Sequence, residues 1–223
     1  VLARNAINVN IFNKFWELLE NELKTEQIRE ILMKKGDRGQ IPLHRAVYNK
    51  FKIFREYKEE DGTEKEKILL EIYSKYFSDE ELFSIETSDH KNIFEFAAHK
   101  GTKESVELVC GKLQNFFKND TKELKKFLLK KDKANKSYAL LSVLNFNSDV
   151  FRCVFEFYEK VFEESEDLKN LMLEEKDKYG DNLVHLVFKS SSLIKFKYFW
   201  NEILMKKFDE NEQKVILRSK GWK

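Results

Sequence analysis

An all-α helical repeat solenoid is the architecture expected of this chain, for three reasons. Its 223 residues include one Pro and seven Gly, few breakers, so long helices are favoured over sheets. A short motif, Ile41-Pro42-Leu43-His44-Arg45-Ala46 after Gly39, returns in weaker form three more times. Between the copies, apolar residues recur at three- and four-residue spacing, the period of an amphipathic helix. Such units contact only their neighbours and stack, which points to binding rather than catalysis.

Residues 1–35 read as a partial repeat. Ile11, Phe12, Phe15, Trp16, Leu19 and Leu23 form the apolar face of a long outer helix whose own beginning is expected to be cut away. Four repeats follow, at 36–86, 87–131, 132–176 and 177–217, and 218–223 open another turn. The positions equivalent to Gly39 are His90, Asn135, Gly180 and Gly221, spaced 51, 45, 45 and 41 residues apart. The whole chain is therefore expected to be one array.

Each repeat has three pieces. A tight turn leads into a short inner helix with small residues (Ala46; Ala97 and Ala98; Ser142), which let neighbouring helices approach closely. A long outer helix follows, built on Ile68, Leu69, Ile72, Tyr73 and Tyr76, on Val106 to Phe117, on Val150 to Phe162, and on Leu193 to Leu204. The third piece is a short helix opened by a capping residue at Thr25, Ser78, Thr121, Ser165 or Asp209. Only Ser78 with Glu81 and Asp209 with Glu212 complete a capping box. The first repeat also carries a charged insertion, 56–67.

These residues resemble the ankyrin-repeat family. Its signature, an Asp-x-x-Gly turn and then Thr-Pro-Leu-His-x-Ala-Ala, is matched by Gly39 with Pro42, Leu43, His44 and Ala46. It is matched again by Ala97, Ala98 and Gly101, and by Asp177, Gly180 and His185. The third copy keeps only Asp132 of the polar positions, and no copy keeps the Thr. The repeats are longer than the family's usual length of about 33 residues, and the extra capped helix stands in place of the family's hairpin. The resemblance implies a noncatalytic protein-binding module whose concave face is formed by turn tips and inner helices. It also implies that His44 and His185 tie neighbouring turns.

Carried over residue by residue, the family's variable positions give a partner-binding face. The first repeat supplies Asp37, Arg38, Gln40, Tyr48 and Asn49, and the second Ser88, Asp89, Lys91, His99 and Lys100. The third supplies Lys133, Ala134, Lys136, Leu144 and Asn145, and the fourth Lys178, Tyr179, Asp181, Lys189 and Ser190. Seven of these are basic and three acidic, so an acidic segment of a protein is the expected partner, with Tyr48 and Tyr179 as anchors.

Composition narrows the alternatives. Apolar residues make up 42% and charged residues 36%, and the net charge is only +2, which is no bulk polyanion-binding signature. A nucleic-acid-binding solenoid is the alternative, because 20 Phe and eight Tyr stand among many Lys; most follow the helical period, as core aromatics do. A recruiting arm of an enzyme whose catalytic domain lies elsewhere is a further alternative. No phosphate loop, nucleophile elbow or zincin helix occurs, and His90 and His99 have no nearby cysteine with which to hold zinc. No cofactor, no metal and no enzymatic activity are expected.

Cys110 and Cys153 sit in apolar helical stretches and are expected to be buried, reduced thiols, which makes an intracellular, cytoplasmic location the default. Richness in Lys, Asn, Phe and Ile suits an AT-rich genome such as that of an intracellular bacterium, which extends the expectation to a host cytoplasm or nucleus. No apolar run approaches the roughly 20 residues that span a bilayer. The start, Val1-Leu2-Ala3-Arg4-Asn5, carries neither an initiator Met nor a signal peptide, so the chain reads as a piece of something longer. Ends without polar caps are expected to favour self-association.

Overall fold

The computed structural model describes residues 9–47, 60–118, 120–162 and 165–218. It divides into two compact units, Val1–Lys112 and Leu113–Lys223. Unit one contains α1 (Val9–Glu22), α2 (Thr25–Met33), α3 (Pro42–Val47), α4 (Glu60–Tyr76), α5 (Asp79–Ser84) and α6 (Ile93–Lys100), and most of α7 (Lys103–Phe117). Unit two contains α8 (Thr121–Leu128), α9 (Tyr138–Val143), α10 (Ser148–Val161) and α11 (Ser165–Leu173). It continues through α12 (Leu183–Lys189), α13 (Leu193–Tyr198), a π-helical segment (Phe199–Leu204), α14 (Met205–Lys207) and α15 (Glu210–Leu217). No strand occurs among the described residues. The fold is all-α, with short helices between the long ones along the described residues.

The turns before the inner helices share a left-handed residue at one position, and the first turn has a second at Arg38. Gly39, His90, Asn135 and Gly180 have φ of 67°, 56°, 59° and 77°. This left-handed region is free for Gly and strained for most other residues, Asn being the best tolerated. Each of these residues donates its N–H three residues back, to Gly36, Thr87, Asp132 or Asp177, at 2.9–3.1 Å. Those four residues in turn donate to the carbonyls of Gln40, Lys91, Lys136 and Asp181 at 2.8–3.0 Å. Asp132 and Asp177 add a side-chain lock: Asp132 Oδ1 accepts from the N–H groups of Ala134 and Lys136, and Asp177 Oδ1 from those of Tyr179 and Asp181.

Capping explains where the helices start. Ser78 with Glu81 and Asp209 with Glu212 form the two expected boxes. Two of the other expected caps are one residue out: Asp120 caps α8 rather than Thr121, and Lys24, without a side-chain bond, occupies the cap of α2 rather than Thr25. Asp accepts more strongly than Thr and stands one position earlier, so it captures the Glu123 N–H at 2.9 Å. The inner helices carry boxes too, Asn92 with Glu95 and Asn182 with His185. The part of the charged insertion that is described does not loop out. Residues 60–67 form the first turns of α4, and Glu66 is buried.

Within each unit, helices pack on the same kind of helix in the next repeat. In unit one α3 packs on α6 and α1 on α4; in unit two α9 packs on α12, α10 on α13, and α11 on α15. Ala97, Ala98 and Ser142 are fully buried, as close helix approach requires. Phe94, Phe151, Phe155 and Phe199 fill the core, each worth roughly 2–3 kcal/mol of burial. At the end of α10 the rings of Tyr158 and Phe162 stack at 5.3 Å, as those of Tyr73 and Phe77 do at 5.6 Å at the end of α4.

The π segment absorbs one extra residue. Asn147 and Ser192 are the equivalent N-caps of α10 and α13, 45 residues apart, whereas Phe162 and Phe208 at the far ends are 46 apart. An insertion within a helix is commonly accommodated as such a bulge.

Candidate functional site

The turn tips are rigid because each is bonded to the next within its unit. In unit one the Ser88 N–H donates to the Arg38 carbonyl at 2.8 Å. Gly39 lies against this contact: a Cβ there would stand 2.8 Å from Ser88 N and Oγ. Beneath the turn, Tyr73 of α4 donates its hydroxyl to the Leu32 carbonyl at 2.5 Å. Burial pushes the Tyr73 phenol well up, so it stays protonated and remains a donor.

In unit two the Lys178 N–H donates to the Ala134 carbonyl at 3.0 Å, and Asn135 Nδ2 to the Lys176 carbonyl at 2.6 Å. Lys136 Nζ lies 3.4 Å from Asp177 Oδ2, with both side chains largely covered. Tyr179 stands out from this base with 63% of its surface exposed. The ammonium groups of Lys178 and Lys136 lie 5.0 and 5.7 Å from its ring centroid, each a cation–π contact worth about 0.5–1 kcal/mol at a surface. Asp132 and Asp177 point inward onto backbone N–H groups, whereas Lys130, Lys133, Lys176 and Lys178 are exposed. The outer surface of this tip is therefore cationic.

The expected face divides by exposure. Arg38, Asp89, Lys133, Lys178 and Tyr179 are exposed. Lys189 is exposed but committed to Asp181, at 2.7 Å from both carboxylate oxygens. His99 and Lys100 are half-buried. Exposed side chains were expected at Gln40, Lys91, Lys136 and Asn145, and this is corrected: Gln40, Lys91 and Asn145 are buried and Lys136 is half-buried. The residue after the left-handed position closes the turn with its carbonyl and tucks its side chain beneath. Asn145 uses its side chain to accept from the Asn147 N–H at 2.9 Å. Tyr48 and Asn49 lie outside the described residues.

His44 and His185 also each cap the inner helix they belong to. His44 Nδ1 accepts from the Ile41 N–H at 3.4 Å, and His185 Nδ1 from the Asn182 N–H at 3.3 Å, so each ring caps its own helix. His44 Nε2 is directed toward the Lys91 backbone without full hydrogen-bond geometry. Burial, with a smaller contribution from Lys35, pushes the His44 imidazole down to about 4, so it is neutral near pH 7. Two buried charges lay beyond sequence reasoning. Lys195 Nζ donates to the Val143 carbonyl at 2.7 Å and to that of Asn145 at the end of α9, and burial lowers its pKa. Burial pushes Glu66 up to about 7, opposed by its hydrogen bond from Ser105 Oγ and reinforced by Glu104.

Among the described residues no three His, Cys, Asp or Glu side chains are grouped to hold a metal ion, and no helix is long and apolar enough to cross a membrane. An open groove of about 410 Å³ runs between α2 and α5, but Arg29 on its wall is already engaged by Glu81 at 2.6 Å and the Phe77 ring at 4.4 Å. The candidate site is the exposed Tyr179 on its lysine-rich tip. Compared with known proteins, the chain matches no family model, no curated protein and no solved structure.

Proposed function

We propose that this chain is an ankyrin-like helical repeat solenoid that works as a noncatalytic protein-binding module, and that the turn tip of unit two takes an acidic segment of a partner protein. The solenoid reading is supported by the recurring three-helix pattern and by turns that share a left-handed position and are bonded tip to tip within each unit. The binding reading is carried by Tyr179, an exposed aromatic held on a rigid turn between two lysines. An amphipathic ring of this kind contributes apolar contact at low entropic loss, and the surrounding ammonium groups steer carboxylates toward it. Lys136 shapes the site from below, while Lys133 and Lys178 meet the partner. In cells the module works in a reducing, intracellular compartment.

The test is affinity capture from cell extract, comparing the native chain with Lys133→Glu/Lys178→Glu and with Tyr179→Ala. Native chain should retain a protein that poly-glutamate displaces. The charge-reversed variant should bind that protein with association slowed roughly tenfold or more, as expected for loss of steering. Circular dichroism should be unchanged, since these side chains are exposed. Undiminished binding by the reversed variant would remove the tip as the site. Retention of generic RNA with steep salt dependence, in place of a protein, would favour a nucleic-acid-binding solenoid.

A further inference from the structure

Glu66 stands in the seam between α4 and α7, a carboxyl only 5% exposed and with no cation against it among the described residues. Apolar side chains from four helices wall it in: Leu43 and Val47 of α3, Leu70 of α4, Ile93 of α6, and Leu108 and Val109 of α7. The space they leave is about 10 Å³, at the lower limit for a single water molecule. Ser105 of α7 supplies the one polar contact. It is itself buried, and its Oγ accepts from the Thr102 N–H at 3.3 Å and gives its one proton to Glu66 Oε2.

The other described charges of these helices are turned elsewhere. Glu104 of α7 does act on Glu66, and it is negative. Lys103 pairs with Glu107 at 3.5 Å on the exposed side of α7, and Lys67 of α4 is exposed. On α3, His44 is held by the Ile41 N–H and Arg45 by Asp37. On α6, Glu95 accepts from the Asn92 N–H, and His99 and Lys100 stand at the opposite end from Ile93. Glu20 of α1 and Arg29 of α2 meet the far end of α4, at Lys75 and Tyr76, and Asp79 of α5 pairs with Lys112 farther along α7. A carboxylate at Glu66 therefore has neither a countercharge nor room for a hydration shell, whereas a neutral carboxyl suits the site.

We propose that Glu66 is a proton-operated latch on the α4–α7 seam, which holds the two helices together in acid and lets them part locally as the carboxyl ionises. Closed, burial raises the group to about 7; once α4 parts from α7, water reaches the side chain and it ionises at its ordinary value near 4.5. Below about pH 4.5 the carboxyl is protonated in both forms and the seam is tightest. From there to about pH 7 each rise favours the open form, and above 7 both forms are ionised and the dependence ends. The latch uses no residue of the acidic-segment site, so either can fail without the other.

Hydrogen exchange of the full chain, read by mass spectrometry from pH 5 to 8 and corrected for the intrinsic pH dependence of amide exchange, is the test. Amides flanking Glu66 and Ser105 should open more readily by up to about tenfold per pH unit, roughly fortyfold in all between pH 5 and 7, and level off above that. Those of α10 in unit two should not follow this curve. Glu66→Gln should abolish the slope and keep the seam protected at every pH. Ser105→Ala removes the donor that favours the ionised form and should carry the levelling-off to higher pH. Exchange around Glu66 that is independent of pH, a slope that survives in Glu66→Gln, or the same curve in α10 would each overturn the proposal.

Discussion

The hydroxyl of Tyr158 in α10 donates to the backbone carbonyl of Leu128, the last residue of α8, at 2.7 Å. Tyr73 makes the same tie to Leu32 of α2 in unit one. Each closes the C-terminal end of a third helix with a side chain from the next outer helix, where four carbonyls lack partners within their own helix. Tyr158→Phe should destabilise the protein by about 1–2 kcal/mol, the loss of a neutral hydrogen bond with a buried carbonyl left behind. Urea denaturation monitored by circular dichroism measures it. A loss below a few tenths of a kcal/mol would mean that water replaces the hydroxyl at Leu128.

The shared left-handed position predicts opposite signs at equivalent residues. Gly39→Ala should lose about 2 kcal/mol or more, because the new Cβ meets Ser88 at 2.8 Å in addition to the strain of φ 67°. His90→Gly should gain about 0.5–1 kcal/mol by relieving φ 56°, against the loss of an exposed pair with Glu86 of little weight. Thermal melts of the two variants should move in opposite directions.

His44 and Glu66 make opposing contributions to pH dependence. Above about pH 6.5, His44 is neutral in both folded and unfolded chains; as pH falls toward 4, only the unfolded chain takes up the proton, and stability declines. Below about pH 4.5, Glu66 is protonated in both states; as pH rises toward 7, the unfolded chain ionises first, and stability declines in that direction. Between pH 4.5 and 6.5 the two slopes, each about 1.4 kcal/mol per pH unit, nearly cancel. Glu66→Gln should expose the His44 slope, so that stability rises with pH up to about 6.5, and should add about 3 kcal/mol above pH 7. Chemical denaturation at pH 5 and pH 8 separates these outcomes. A flat profile in the variant would assign the buffering to other groups.

Deleting Asn201 should convert the π segment to ordinary α-helix while keeping the ends of α13 and α14 in register. The expected loss is below about 1 kcal/mol, whereas deleting Glu156 from the regular α10 should cost several times that by rotating Tyr158 and Phe162 out of the core. Paired denaturation curves decide it.

The turn register was legible because left-handed backbone leaves a mark. Gly39 and Gly180 show it directly, and spacing carried it to His90 and Asn135, which bear no glycine. The outer helices were legible from their period, which burial enforces. Exposure at the tips was less so: Gln40, Lys91 and Asn145 are polar in sequence, and what buries them is the fold of the turn and the neighbouring repeat. The tyrosine ties were read only as apolar positions, because the carbonyls they meet lie 41 and 30 residues away. Adjacent candidates hid the α8 cap, since Asp120 and Thr121 both suit the position.

The π segment has a consequence for how such a chain changes over generations. An inserted residue in most helices would twist everything downstream, but here the outer helix behaves as an expansion joint. The extra length is taken up between Phe199 and Leu204, and Phe208 is buried as Phe162 is. Residue gains and losses along that stretch leave the turn tips undisturbed, so the length of an outer helix and the chemistry of the turns can drift independently.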